Sequence, residues 1–280
     1  MHVQNIDYTR VDAPSLFCQS LKETGFAVLN HHPISPELIN QMYQGWREFF
    51  YSDAFTKEKF KFKKETQDGY FPFRSENAKG RKVSDLKEFF HIYRWGQIPD
   101  SLRDVSLAMF YALEKFASEL LQWVEDFLPE NVAEQLSMPL KDMIVDSSNI
   151  LLRVLHYPPL ADDMEKDAVR AAPHEDINLI TLLPAATTPG LEVLDTAGNW
   201  HEVTCDPGNI VVNVGDMLQM CTQHYYKSTT HRVINPTGAD RHTSRFSMPL
   251  FLHPRKEVRL SPTHTAVEYL HERLREIGVY

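Results

Sequence analysis

Cysteine is scarce in this 280-residue chain. Cys18, Cys205 and Cys221 are odd in number, widely separated and contain no C-x-x-C, which argues against a disulfide framework or a zinc knuckle. They read as small buried hydrophobes. Long apolar runs are missing too, and none approaches the roughly 20 residues that a bilayer-spanning helix needs. The opening MHVQNIDYTRVDAP has no basic start followed by an apolar stretch, so it does not read as a secretory signal, and a cytoplasmic location is expected. Positive charge is in deficit, with 29 Lys and Arg against 38 Asp and Glu and a net charge of −9. That balance works against nucleic acid as a main partner, because neutralising phosphates needs a basic face. The most basic stretch, Lys57 to Lys64 (KEKFKFKK), reads as a solvated helix face anchored by Phe60 and Phe62. No repeat, low-complexity tract or flexible linker divides the chain, so residues 1–280 are expected to form a single domain.

What is present is ordinary for a soluble globular protein: 42% hydrophobic and 24% charged residues, enough to bury an ample core. The first half, residues 1–145, reads as helix-rich. Leu16, Phe17, Ser20 and Leu21 recur at helical spacing over Pro14 to Thr24, and Gly25 follows as a stop. Phe26 to Leu29 is a short buried strand. Ser35-Pro36 supplies a cap and a first-turn proline ahead of the stripe Leu38, Met42, Trp46 and Phe49. A longer helix is expected over about 102–128, where apolar residues recur every three or four positions from Leu102 to Phe127. From about 148 short strands take over: Ile150 to Tyr157, Leu179 to Leu183, Leu191 to Leu194, Trp200 to Val203, Ile210 to Val214 and Phe246 to Leu252. Turn residues such as Pro189-Gly190 and Pro207-Gly208 separate them. Many short strands at near-regular spacing suggest a sandwich or small barrel over 146–255, closed by a C-terminal helix within 256–280, from Thr263 to Ile277.

One constellation carries chemistry. His174-Glu175-Asp176 is followed at 231 by a second histidine and at 245–247 by Arg-Phe-Ser. Two imidazoles and a carboxylate are the ligand set that holds one face of a mononuclear iron(II) and leaves the other open. In a strand, residues i and i+2 point the same way, so His174 and Asp176 can reach one metal while Glu175 points outward. Arg245 and Ser247 repeat that spacing, putting a guanidinium and a hydroxyl on one face. A planar guanidinium binds a carboxylate in two-pronged fashion, so this pair reads as a clamp for an acidic co-substrate. Of the 13 histidines, only His174 has an Asp two residues on.

The stretches PHEDINLITLL, PGLEVLDTAGNWHEVTCDPGNIVVNVGDMLQMCTQHYYKSTTHRVINP and RFSMPLFLHP together resemble the iron(II)- and 2-oxoglutarate-dependent dioxygenases of the isopenicillin N synthase type. ETGFAVLNHHPIS and DGYFPF…SDLKEFFHI extend the likeness, which covers about residues 5–255. The resemblance implies an α+β fold with a mostly β core: a double-stranded β-helix, or jelly-roll, with an N-terminal helical region. It implies that His174, Asp176 and His231 bind Fe(II). Arg245 and Ser247, with Tyr157 from LLRVLHYPP, would hold the distal carboxylate of 2-oxoglutarate. Three departures stand out. Leu155 takes the place of an asparagine common in plant members, the gap from His231 to Arg245 is long, and Met220-Cys221 replaces a common tryptophan-bearing stretch.

The expected function is a non-haem Fe(II)- and 2-oxoglutarate-dependent oxygenase, an oxidoreductase that uses O2 to hydroxylate, desaturate or cyclise a small-molecule substrate. Two alternatives remain open at this point. One is a 2-oxoglutarate-independent iron(II) oxidase of the isopenicillin N synthase kind, which keeps the Arg-x-Ser pair for its own substrate. The other is a non-catalytic binding module. Gly69 to Arg74, with Lys79 and Arg81, is a candidate substrate lid, and His224, Tyr225 and Tyr226 are candidates for the pocket wall. His156, on the opposite strand face from Tyr157, is expected to be structural.

Overall fold

Local chemistry sets the N-terminal elements. After strand β1 (Asn5–Asp7), helix α1 (Ala13–Thr24) stops where Gly25 takes a φ of 75° and its N–H caps Leu21. A side chain at Gly25 would also collide with the Thr229 hydroxyl, 2.3 Å from an added Cβ. Strand β2 (Phe26–Asn30) follows at once. Helix α2 (Pro36–Tyr51) is capped by Ser35, whose Oγ accepts the Leu38 N–H, with Pro36 in the first turn. The short α3 (Ala54–Glu58) ends well before Lys64, so the basic stretch is not one helix face. Instead Phe62 stacks on Phe71 with ring centroids 4.2 Å apart, and Lys57 pairs with Glu88 at 3.0 Å. Strands β3 (Gly69–Phe71) and β4 (Glu88–Ile92) precede the long α4 (Asp100–Asp126), two short helices, α5 (Glu130–Ala133) and α6 (Leu140–Met143), and strand β5 (Leu151–Tyr157). The computed structural model describes residues 1–76, 84–161 and 168–276, so Lys79, Arg81 and Ile277 lie outside the described residues.

The second half supplies β6 (Ala171–His174), β7 (Ile180–Pro184), β8 (Leu191–Leu194), β9 (Trp200–Glu202) and β10 (Ile210–Val214). Then come α7 (Asp216–Cys221), β11 (His231–Val233), β12 (Arg245–Ser247), β13 (Leu250–Phe251) and α8 (Ala266–Glu276). The strand expected over 246–252 is thus two pieces, and both pair with β5. Among the described residues, nine strands form one sheet in the order β1-β2-β10-β7-β13-β5-β4-β3, with β12 beside β5. A second sheet of four runs β6-β11-β8-β9. The helix-rich N-terminal region therefore also contributes four strands to the large sheet, more than its sequence suggested. The result is a mixed α+β fold.

Alternation along the strands separates two faces of the large sheet. Leu152, Val154, Ile210, Val212, Ile180 and Leu182 join Trp46, Phe110, Leu113 and Leu120 from α2 and α4 in the main core. The opposite face meets the small sheet in two patches. Phe26, Val28 and Val211 pack with Leu191, Val193 and Val203, while Phe71, Phe89, Leu155 and Tyr157 pack with Ala171 and Val233. Residues that alternate with the helix-side set, such as Asn213, Arg245 and Ser247, accordingly point between the sheets, and the polar site lies there. Among the described residues no helix is long and apolar enough to cross a membrane.

Candidate metal and co-substrate site

The small sheet brings the two histidines together. His231 on β11 is the register partner of His174 on β6, and their ring centroids are 4.4 Å apart. Asp176 lies just beyond β6, its Oδ1 3.9 Å from His174 Nε2 and 3.8 Å from His231 Nε2. One ligand atom from each residue falls within 4.8 Å of the others. Bonds of about 2.1 Å leave the ligands of one metal roughly 3–3.5 Å apart, so a small inward shift would close this set on an ion.

Each group is turned so that its free atom faces the centre. His174 Nδ1 is 2.8 Å from the carbonyl of Ala172 and His231 Nδ1 is 3.1 Å from that of Thr229. Both contacts suit an Nδ1–H donor and leave Nε2 as the electron-pair donor. On Asp176 the outer oxygen, Oδ2, accepts from Thr181 Oγ1 at 2.6 Å and Asn213 Nδ2 at 2.8 Å, leaving Oδ1 for the centre. Burial would raise the Asp176 pKa, but the two histidines and these two donors outweigh it and hold the carboxyl below its ordinary range. The protein around His174 withdraws water, and His231 opposes a second positive charge; the His174 pKa falls to about 4, although 43% of its side chain still reaches solvent. A neutral, exposed imidazole beside an ionised carboxylate is the state a cation requires. Glu175 points away and accepts from Thr230 Oγ1 at 2.8 Å.

The large sheet carries the residues expected to form the clamp. Arg245 and Ser247 on β12 face Tyr157 and Leu155 on β5. All four are buried, so Leu155 places an apolar side chain opposite Ser247. The Arg245 Nε donates to the Thr188 carbonyl at 3.0 Å, and its guanidinium carbon lies 5.2 Å from the centre of the Tyr157 ring. Among the described residues its Nη1 has no hydrogen-bond partner. A buried guanidinium with an unspent N–H is prepared for an anion.

Several site residues escaped the sequence reading. Thr181 and Asn213 are single polar residues within otherwise apolar strands, and that oddity was the available signal. Beside the triad, Lys87 bridges Glu76 at 2.7 Å and Asp85 at 2.9 Å, and Asp85 Oδ1 accepts the Ala172 N–H, tethering β6. Arg153 donates from Nε to His91 Nε2 at 2.9 Å and reaches Glu76 at 3.4 Å. Phe62, Phe71 and Phe89 stack in parallel along the same side. The start of the candidate lid, Gly69–Phe71, is thus an edge strand carrying one of these rings, and not a loop. The pocket-wall expectation for Tyr225 and Tyr226 fails: Tyr226 is buried against α4, its hydroxyl donating to Val124, and Tyr225 packs under Lys22. Proximity in sequence to His231 does not carry across the turn that separates them. His156 is structural, bonded to Glu88 and Ser244 and stacked on Phe246.

Comparison with known proteins supplies the context for this geometry. Residues 148–254 match the 2OG-Fe(II) oxygenase superfamily, and residues 10–108 match the N-terminal region of the non-haem dioxygenases in morphine synthesis. An oxygenase from Shewanella oneidensis of known crystal structure is 50% identical, with a TM-score of 0.90 and both chains covered in full. A 2OG-Fe(II) oxygenase family protein from Caulobacter crescentus is 29% identical over 99% of both chains, with a TM-score of 0.83. Gibberellin 2-beta-dioxygenase 3 of Arabidopsis thaliana is 28% identical over 268 residues, which are 92% of this chain and 77% of the plant protein. These relatives favour the reading with 2-oxoglutarate over the one without it. The chain belongs to the 2OG-Fe(II) oxygenase superfamily, and is an oxidoreductase that works with iron(II) and 2-oxoglutarate.

Proposed function

We propose that His174, Asp176 and His231 hold iron(II), that Arg245, Ser247 and Tyr157 bind the distal carboxylate of 2-oxoglutarate, and that the prime substrate is a small molecule oxidised with O2. The observation that carries this reading is the placement of the two groups on facing sheets: three convergent ligand atoms on one side, and a buried guanidinium with a free N–H on the other. The iron supplies dioxygen activation when bound with its co-substrate. The rest is the work of this chain. The backbone carbonyls of Ala172 and Thr229 orient the imidazoles; Thr181 and Asn213 orient the carboxylate; Arg245 orients the co-substrate from its far end. Phe71 on β3 and Phe89 on β4 stack on each other, pack with Ala171 and Val233 of the two strands that carry the histidines, and offer a flat apolar wall to a substrate.

The two facing sheets support a double-stranded β-helix, and the pairing of β2 with β10 and β4 with β5 supports a single domain with a helical N-terminal region, a β core and a closing helix. Anaerobic titration of the iron(II) protein with 2-oxoglutarate tests the assignment. A weak visible charge-transfer band is expected, diminished in Arg245→Ala and lost in His174→Ala. No band despite stoichiometric iron would overturn the co-substrate site, and no bound iron would overturn both.

A further inference from the structure

Two arginines, and not one, stand buried beside Tyr157. Arg170, just before β6, is 1% exposed and Arg245 is 2% exposed. Their guanidinium carbons lie 6.0 and 5.2 Å from the centroid of one ring, that of Tyr157. Among the described residues neither forms an ion pair. Arg170 Nη2 donates to the Thr243 carbonyl at 3.0 Å, as Arg245 Nε donates to that of Thr188. Among the described residues three buried polar atoms around them have no hydrogen-bond partner: Arg170 Nε, Arg245 Nη1 and Thr188 Oγ1. Two buried cations with no ion-pair partner among the described residues are unfavourable even though the Asp240 carboxylate offsets part of the charge on Arg170, and orphaned donors add to that penalty. A carboxylate supplies both the missing charge and the missing acceptors.

We infer that Arg170 is a second guanidinium of the co-substrate pocket, binding the distal carboxylate of 2-oxoglutarate together with Arg245 and selecting dianionic over monoanionic 2-oxo acids. The inference rests on the assignment of Arg245, Ser247 and Tyr157 to that pocket. Electrostatics support it independently: burial, and then the charge of Arg245, bring the Arg170 pKa down to about 10, so the pair is poised to gain from an anion between them. Carbonyl contacts alone leave each arginine only part of its five-donor fork satisfied.

Calorimetric titration of the full chain loaded with zinc(II) in place of iron tests this without turnover. The probes are 2-oxoglutarate and 2-oxobutyrate, which keeps the chelating end and lacks the distal carboxylate. Arg170→Met should weaken 2-oxoglutarate by about 10–100-fold, the usual range for a lost charge-assisted contact, and leave 2-oxobutyrate unchanged. Arg170→Lys, which keeps the charge without the fork, should recover part of the loss. A lowered melting temperature in Arg170→Met with unaltered 2-oxoglutarate affinity would make Arg170 a structural residue and overturn the inference. If Arg170→Met does not fold, Arg170→Lys decides: unaltered affinity for 2-oxoglutarate overturns the inference, and selective weakening supports it. Unchanged 2-oxoglutarate affinity in Arg245→Met would instead overturn the underlying pocket assignment.

Discussion

Thr181 on β7 and Asn213 on β10 are register partners across two antiparallel strands, and both donate to the same oxygen of Asp176. Neither strand carries a member of the triad. The large sheet thus fixes the carboxylate that faces the small sheet's histidines, so the candidate metal site is a joint product of both layers. Asn213→Ala, which leaves all three ligands in place, should weaken iron(II) binding by about 10–100-fold, the usual effect of removing a partner that orients a ligand. Competition for iron(II) against a chelator of known affinity measures this. Unchanged affinity would mean that Thr181 alone suffices.

Arg245 should act on the co-substrate and leave the metal alone. Arg245→Met is expected to raise the KM for 2-oxoglutarate by about 10–100-fold, the value of one to two charge-assisted hydrogen bonds, with iron(II) affinity unchanged. A parallel loss of iron would show that the substitution collapses the space between the sheets.

The His174, Asp176 and His231 cluster was legible because its strongest element is local, the i, i+2 spacing of His174 and Asp176, although β6 ends at His174 and Asp176 lies just past the strand expected to carry both. The strands Ile210–Val214 and Leu191–Leu194 were legible for the same reason, as apolar runs bounded by turns. Strand β6 was not, since Ala171-Ala172-Pro173-His174 has no β-branched residue and exists only because β11 pairs with it. Strand β4 hid in a half dominated by helical stripes. The roles of Thr181, Asn213 and Arg170 depend on registers and turns spanning tens of residues, which spacing cannot supply. No motif or periodicity in the sequence singles out Arg170, and only its burial beside Tyr157 does.

Acid should destabilise the metal-free protein over a defined window. Burial brings the His253 pKa down to about 4 against an ordinary 6.5, and its Nδ1 has no partner among the described residues. The unfolded chain binds a proton there below about pH 6.5 while the folded chain resists until about pH 4. The sign follows: stability present above pH 6.5 is lost progressively as pH falls to 4, and His174 adds in the same direction. Thermal unfolding of metal-free protein between pH 7 and 4 should show this slope, shallower in His253→Gln. Identical slopes would assign the acid sensitivity to other groups.

Gly25 ties the helical layer to the loop that leads to His231. Its left-handed backbone ends α1, its carbonyl accepts the Val214 N–H, and its bare Cα admits Thr229, two residues before His231. An alanine there must both adopt a positive φ and displace the loop that leads to His231. Gly25→Ala should therefore destabilise the fold by about 1–3 kcal/mol through backbone strain. It should also weaken iron(II) binding, because the Thr229 carbonyl that orients His231 moves with the loop. The comparison with Gly198→Ala separates the two effects. Gly198 also has a positive φ, 87°, but nothing lies within 4 Å of an added Cβ. That variant should lose stability by strain alone and keep its iron affinity. If both variants bind iron as the parent does, the contact between Gly25 and the 227–229 loop carries packing and no metal-site geometry.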